Sequence, residues 1–272
     1  MGNHAMDKSF AGPIPQVYDA RLVPMIFAPY ATDLAERLQR LPLTRVLELA
    51  AGTGVVTRAM ASSLPDGVSI VATDLNQPML DHALRIGTAR AVEWRQADAT
   101  ALPFEDATFD AVVCQFGVMF FPDRARAYAE ARRVLKSGGV FLFNVWDRIE
   151  TNDFARAVEE AVERVFPVDP PQFLARIPHG YFERGRIAKD LADGGFTATP
   201  TMTTLAKRSR AESPHAAAVA YCHGTPLRNL IEARDAARLA DVVDAASALI
   251  GARFGAGAVE GRIQAHVVSL AK

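Results

Sequence analysis

The chain has 272 residues, 50% of them hydrophobic and 22% charged, and its formal net charge is -1. This length and apolar content suit one large α/β domain, or a domain with a small cap, and they exclude a disordered chain. The balanced charge shows no overall basic excess of the kind that nucleic-acid binders carry and gives no reason to expect a polyanionic substrate, although a protein or RNA acceptor stays open.

Signals for export, anchoring and disulfides are absent from the sequence. The longest apolar run, residues 111–121, contains Gln115 and falls well short of the roughly 20 residues of a membrane span. The opening "MGNHAMDK" lacks the basic region and apolar stretch typical of a signal peptide, and we interpret Met1–Ala5 as a remnant of cloning. Cys114 and Cys222 are too few for a disulfide framework or a zinc site. We therefore expect a cytoplasmic protein with no membrane span.

Residues before 147 predict a parallel sheet preceded by helices. After a flexible stretch at 1–15, residues 16–44 predict a helical lid in two pieces, broken by Pro24 and Pro29. Within 45–146, strand-like runs alternate with helix-like segments, which is typical of βαβ units covered on both faces. The predicted strands lie at 45–50, 69–74, 91–96, 109–116 and 139–146.

The pattern changes in residues 147–272. An amphipathic helix at 151–166 could cover the core or meet a second subunit, so a homodimer is one expectation. Residues 196–207 and 262–271 resemble late strands, and a helical stretch near 209–258 separates them. This part of the chain is thus expected to complete the sheet and to carry a helical insertion.

The first predicted strand ends in a glycine turn, "VLELAAGTG" at 46–54. Gly52 and Gly54 allow positive φ, so main-chain N–H groups can face a ligand. The dinucleotide-binding fingerprint requires a third glycine where this chain has Thr57, and Glu48 would repel a pyrophosphate. A buried Glu without a partner is costly, so we expect Glu48 to be exposed to water or to a cationic ligand.

Two further acids follow the next strands. Asp74 ends "SIVATDLN" about twenty residues beyond the glycines, a spacing at which an acid accepts ribose hydroxyls of NAD or of S-adenosylmethionine. Asp98 follows the third strand and could accept from an adenine amino group while the Ala99 N–H donates to the ring. A simple turn cap is the alternative for Asp98.

Four segments together resemble class I S-adenosylmethionine-dependent methyltransferases, and most resemble the small-molecule subgroup of the ubiquinone/menaquinone biosynthesis type. They read "VLELAAGTGVVT", "IVATDLN", "QADATALPFEDATFDAVVCQFGVMFFPD" and "EARRVLKSGGVFLFNVW". The resemblance covers 16–146 and reaches the remainder only in outline. It implies an α/β, Rossmann-like sheet of seven strands in the order 3-2-1-4-5-7-6, with strand 7 antiparallel. The insertion would then be a helical cap over the substrate.

The same resemblance implies S-adenosylmethionine as cofactor, with its methionine part at Glu48 and the glycine turn, and its sulfonium bordered by Gln115 and Phe116. Tyr18 matches an aromatic residue that this family often folds over the cofactor, and simple packing of this side chain is the alternative. The family usually has glycine where this chain has Ala50, and we expect the turn to survive with a slightly altered approach. The predicted cofactor-binding residues are Tyr18, Glu48, Ala50, Ala51, Gly52, Thr53, Gly54, Asp74, Leu75, Met79, Asp98, Ala99, Gln115 and Phe116.

No catalytic base stands out in the sequence, and the candidates retained are His223, in the predicted cap, and Tyr18. Met119 and Phe120 could line an acceptor pocket, although residues after a buried strand are more often core. No metal constellation and no Gly-x-Ser-x-Gly elbow occur.

The sequence therefore predicts methyl transfer to an oxygen or carbon atom of a small, apolar or aromatic molecule. One alternative is a protein that binds S-adenosylmethionine without transferring a methyl group. Another is an NAD-dependent oxidoreductase. Asp74 and the glycine turn match the pattern of that class, but Glu48, Asp98 and the missing third glycine do not. The acceptor, the accepting atom and the oligomeric state stay open.

Overall fold

The structure is a computed structural model that describes residues 9–272, so the interpretation of Met1–Ala5 lies outside the described residues. The strands are β1 Arg45–Leu49, β2 Ser69–Asp74, β3 Glu93–Gln96, β4 Phe109–Gln115, β5 Leu135–Trp146, β6 Thr201–Ala211 and β7 Val259–Ala271. The α-helices are α1 Ile14–Val17, α2 Ala28–Leu38, α3 Val55–Ser63, α4 Gln77–Ile86, α5 Arg124–Val134, α6 Asp153–Val165, α7 Arg184–Asp193, α8 Pro214–Gly224, α9 Leu227–Asp235 and α10 Leu239–Phe254.

All seven strands form one sheet in the order β3-β2-β1-β4-β5-β7-β6. Strand β1 pairs in parallel with β2 and with β4, β2 with β3, and β4 with β5. Strand β7 is antiparallel. The predicted α/β, Rossmann-like fold and its strand order are confirmed.

Apolar residues cover both faces of the central strands, as parallel sheets require. Side chains alternate along a strand, so Leu142 on β5 faces α2 and α3 while Phe141 and Phe143 face the opposite way. The α2 and α3 side packs Leu34, Leu38, Val46, Val56, Met60, Ala111, Val113 and Leu142 into one cluster. On the other side, Tyr128 of α5 stacks on Phe143.

The predicted break of the N-terminal helix at Pro24 and Pro29 is wrong. Helical backbone runs without interruption from α1 through a π-helix at Tyr18–Phe27 into α2. Proline lacks an N–H and crowds the preceding turn of an α-helix. The wider π turn, with its i→i+5 bonds, makes room for Pro24 inside the helix.

The starts of two strands differ most from the sequence prediction. Strand β5 starts at Leu135 rather than 139, and its register with β4 shifts between the pairs Phe109↔Leu135 and Ala111↔Val140. This irregularity takes "KSGG" into the strand. Strand β6 starts at Thr201 rather than 196, directly after Pro200, which has no N–H to donate.

The described chain divides into two compact units. The core unit comprises Ala28–Val145, Tyr181–Leu205 and Ala265–Lys272. The helical unit comprises the described residues up to Phe27, Trp146–Gly180 and Ala206–Gln264. It holds α6, α8, α9 and α10, and the role of the 209–258 insertion as a substrate cap stays a prediction.

Among the described residues, no helix combines the length and the apolar character needed to cross a membrane.

Candidate functional site

The predicted site residues of the core unit lie where β1, β2 and β4 end. Glu48 is in β1, Asp74 ends β2 and Gln115 ends β4. The sheet order reverses direction between β1 and β4, and open α/β sheets bind ligands at such a switch point, outside the carboxyl ends of the strands.

The glycine turn has the backbone that the sequence predicts. Gly52 has φ +58° and Gly54 has φ +85°, and the Gly54 N–H donates to the Ala51 carbonyl (2.9 Å). A Cβ at position 54 would lie 2.8 Å from the ring of Trp94, so this position needs glycine for space as well as for conformation.

Ala50, where the family usually has glycine, has φ +52° in the left-handed region. The turn survives, as expected. Its methyl group faces Gly117, because a Cβ at 117 would lie 2.5 Å from the Ala50 Cβ and 2.7 Å from the Cys114 Sγ. Because Gly117 has no side chain, it leaves space for the Ala50 methyl group.

We expect Ala50→Gly to raise the free energy of unfolding by about 0.5–1 kcal/mol, because relief of left-handed strain exceeds the entropic cost of glycine. Ala51→Gly is the matched control, since Ala51 is buried and is not left-handed. It should lower the free energy of unfolding by about 0.5–1 kcal/mol. Urea denaturation measures both, and a less stable Ala50→Gly variant would contradict the assignment of strain.

Asp74 is buried and tied to the turn. Its Oδ2 accepts from the Gly52 N–H (2.8 Å) and its Oδ1 from the Asn76 N–H (2.7 Å). Burial raises the pKa of this carboxyl although these hydrogen bonds lower it. Asp74 thus fixes the path of the glycine turn, a role that the spacing alone did not indicate.

The expectation that Glu48 is exposed is wrong, because its side chain is only 1% exposed. Its Oε2 accepts from the Thr57 Oγ1 hydroxyl (2.5 Å), and burial raises its pKa to about 8. Thr57, the residue that departs from the dinucleotide fingerprint, is the partner that makes this burial tolerable. Contact of Glu48 with a cofactor stays a prediction.

Glu48 should make stability depend on pH. Between its ordinary pKa of 4.5 and about 8, the folded chain keeps a proton that the unfolded chain releases, so stability falls as pH rises through this window. Glu48→Gln cannot ionise and can still accept from Thr57. We expect this variant to exceed the wild type by on the order of 1–3 kcal/mol at alkaline pH, and by less at pH 5.

Denaturation from pH 5 to 9 measures this difference, with Glu105→Gln at an exposed position as the control. Parallel stability curves for the wild type and Glu48→Gln would contradict the buried, protonated carboxyl.

The residues predicted to bind adenosine differ in exposure. Asp98 is exposed, and its Oδ1 accepts from the Thr100 N–H (2.8 Å) and hydroxyl (2.7 Å), so the turn-capping alternative is present. Leu75 is 50% exposed beside Asp74, whereas Met79 is buried with its Cε facing Gly52. Binding of adenine by Asp98 and Ala99 stays a prediction.

At the end of β4, Phe116 is left-handed with φ +48° and is buried edge-on against Tyr30. Met119 is buried and Phe120 partly exposed, which leaves their pocket role a prediction. Asn144 of β5 pairs in register with Gln115 and is not among the site residues predicted from the sequence. A polar residue inside the apolar run "VFLFNVW" was the available signal.

Tyr18 and His223 belong to the helical unit. The Tyr18 ring stacks on Phe27 with centroids 4.8 Å apart. His223 is half-buried, its Nδ1 lies 3.5 Å from an Arg228 nitrogen, and burial together with Arg228 lowers its pKa. Catalytic roles for both stay predictions.

The residues at the turn fit S-adenosylmethionine. A positively charged ligand would favour the ionised forms of these two buried carboxyls, whereas a pyrophosphate would oppose their ionisation. The buried Thr53 Oγ1 has no hydrogen-bond partner among the described residues, so a polar ligand group could satisfy it. The described residues contain no group of three or more His, Cys, Asp or Glu that could hold a metal.

Residues 47–143 match the family described as a methyltransferase domain. This part of the chain forms a class I S-adenosylmethionine-dependent methyltransferase domain. A demethylmenaquinone methyltransferase of Thermus thermophilus is 44% identical over 111 residues, which cover 40% of this chain and 49% of that protein. The ubiquinone/menaquinone biosynthesis C-methyltransferase UbiE of an Enterobacter species is 32% identical over 152 residues, covering 54% of this chain and 57% of the relative.

The chain thus spans about half the length of the relatives that it matches. Among solved structures, the YcgJ protein of Bacillus subtilis has a TM-score of 0.56 at 17% identity, covering 90% of this chain and 98% of that one. This likeness extends the shared fold beyond the methyltransferase domain.

Proposed function

We propose that the protein transfers a methyl group from S-adenosylmethionine to a carbon or oxygen atom of a small apolar or aromatic molecule, with quinol rings as the first class to test. The observation that carries the proposal is the pair of buried carboxyls around a left-handed glycine turn, at the switch point of a methyltransferase-type sheet. The named activities of the relatives support quinols as acceptors.

The chain's own residues would hold the cofactor in three places. The ends of β1 and β2 offer Glu48, the turn amides and the Thr53 hydroxyl to its methionine part. Asp74 has accepted two main-chain hydrogen bonds and has carboxylate lone pairs left for the ribose hydroxyls. Gln115 and Phe116 would border the reacting methyl group.

When bound, S-adenosylmethionine supplies an electrophilic methyl group: the acceptor atom forms the new bond, the sulfur–methyl bond breaks, and the acceptor loses a proton. The protein's task in such a displacement is to align the two reactants and exclude water. The apolar residues Met119 and Phe120 suit that task. An ionised phenol needs no base, whereas a neutral hydroxyl would need one, for which Tyr18 and His223 are the candidates.

We further infer a small-molecule acceptor rather than a nucleic acid, because the net charge of -1 gives no electrostatic attraction to phosphates. Cytoplasmic location and a homodimer remain predictions, and light scattering of the purified chain tests the second.

S-adenosylhomocysteine should bind in the micromolar range by calorimetry, and Asp74→Asn should weaken binding at least tenfold because a ribose acceptor and the support of Gly52 are both impaired. Asp81→Asn, at an exposed position in α4, is the control and should bind like the wild type. Preference for NAD over S-adenosylhomocysteine would overturn the proposal in favour of the oxidoreductase.

With labelled S-adenosylmethionine and a reduced 2-prenyl-1,4-naphthoquinone, we expect a product that is one methyl group heavier, detected by mass spectrometry. His223→Ala should slow transfer only if this residue takes the acceptor's proton. Tight cofactor binding without turnover of quinols, phenols or enols would favour the alternative of a binding protein without methyl transfer.

A further inference from the structure

Asn144 is a buried polar residue at the carboxyl end of β5. Its side chain is 0% exposed, and its neighbours in the run "VFLFNVW" are apolar. In the register of the sheet it lies directly beside Gln115, the last residue of β4. A carboxamide in this place is costly unless its oxygen and its nitrogen both find partners.

The oxygen of Asn144 is committed to the turn after β4. The Phe116 N–H donates to Asn144 Oδ1 (2.9 Å) and also to the main-chain carbonyl of Asn144 (3.2 Å). Phe116 is left-handed, which an aromatic residue rarely adopts without support. The double acceptor on Asn144 thus holds the turn in its strained form.

The nitrogen of Asn144 has no hydrogen-bond partner among the described residues, although it is buried. The orientation of the amide is settled by chemistry, because the opposite orientation would set the NH2 group against the Phe116 N–H, donor against donor. A buried donor with no acceptor is uncommon and calls for a ligand or a water. Thr53, across the switch point, has the same kind of orphaned atom.

The strand order separates these two orphaned atoms. Thr53 follows β1, next to β2 and Asp74, where the cofactor is placed by the proposed function. Asn144 lies on β5, on the other side of β4. Its register neighbour Gln115 ends β4 and is partly exposed, and access of an acceptor to the Asn144 amide requires this side chain to move.

We propose that Asn144 is an acceptor-binding residue, whose Oδ1 holds the Phe116 turn and whose Nδ2 donates a hydrogen bond to a hydroxyl or carbonyl oxygen on the ring of the methyl acceptor. The inference rests on the proposed function and deepens it. A donor fixed to one ring oxygen orients the ring, and so selects which atom faces the methyl group.

Two variants separate the two ends of the amide. Asn144→Asp keeps an oxygen for the Phe116 N–H but replaces the NH2 group, whereas Asn144→Ala removes both. Ser209→Ala is the matched control, because Ser209 Oγ is also buried and has no partner among the described residues, but lies in the helical unit. All are compared with the wild type for S-adenosylhomocysteine affinity, and for KM and kcat with the reduced 2-prenyl-1,4-naphthoquinone.

For Asn144→Asp we expect S-adenosylhomocysteine affinity within about threefold of the wild type and kcat/KM lower by about 10- to 100-fold at alkaline pH, mainly through KM. A buried Asp has a raised pKa, and its protonated form donates again. Activity of this variant should therefore recover as pH falls. The wild type has no titrating group at position 144 and should show no such recovery. Asn144→Ala should lose activity at every pH, and Ser209→Ala should lose none.

A second measurement needs no variant to be active. The Asn144 side-chain amide is observed by NMR of chain labelled with ¹⁵N-asparagine and assigned by its absence in Asn144→Asp. Its proton resonance should move downfield when the quinol is added to the complex with S-adenosylhomocysteine, and should move little with S-adenosylhomocysteine alone.

The proposal is overturned if Asn144→Asp matches the wild type in kcat/KM across the pH range, if both variants lose only thermal stability, or if S-adenosylhomocysteine alone moves the amide resonance fully. Failure of the wild type to bind S-adenosylhomocysteine contradicts the proposed function itself, and the role of Asn144 then falls with it.

Discussion

The burial of two carboxyl groups at the ends of adjacent strands governs the rest of this structure. Glu48 and Asp74 are removed from water on β1 and β2, and each is retained because the chain supplies a donor, the Thr57 hydroxyl for one and the Gly52 N–H for the other. Those donors come from the segment between the strands. The turn and the start of α3 are therefore shaped by the need to satisfy the acids, and a positively charged ligand beside them would favour their ionised forms.

Two left-handed residues that are not glycine end the neighbouring strands of the switch point, Ala50 after β1 and Phe116 after β4. The left-handed conformation of each residue is supported by another residue. The methyl of Ala50 fits over Gly117, and the Phe116 N–H is bound by Asn144. Strained backbone that the surroundings fix in one form suits a site that must align reactants before reaction.

The sequence was informative where information is local. Strands β1, β2 and β4 follow from apolar runs that end in glycine or acid, and the sheet order followed from the family resemblance. What it missed depends on how separate elements pack together and, at Pro24, on a local change of helix type. The exposure of Glu48 was misjudged because its partner Thr57 reaches it only when α3 packs on β1. Asn144 was missed because its importance lies in its pairing with β4. The helix break predicted at Pro24 is absent because a π-helix accommodates a proline in its interior that an α-helix would not.

The position of β7 has a consequence for how the chain folds. Strand β6 is synthesised before β7, yet the sheet places β7 between β5 and β6. Until β7 emerges, β5 has an open edge and β6 has no neighbour at all. Closing this gap joins segments far apart in sequence, which makes it a slow step with a high entropic barrier. An unpaired strand edge is a template for pairing with another chain, so the edge of β5 is open to aggregation until β7 docks.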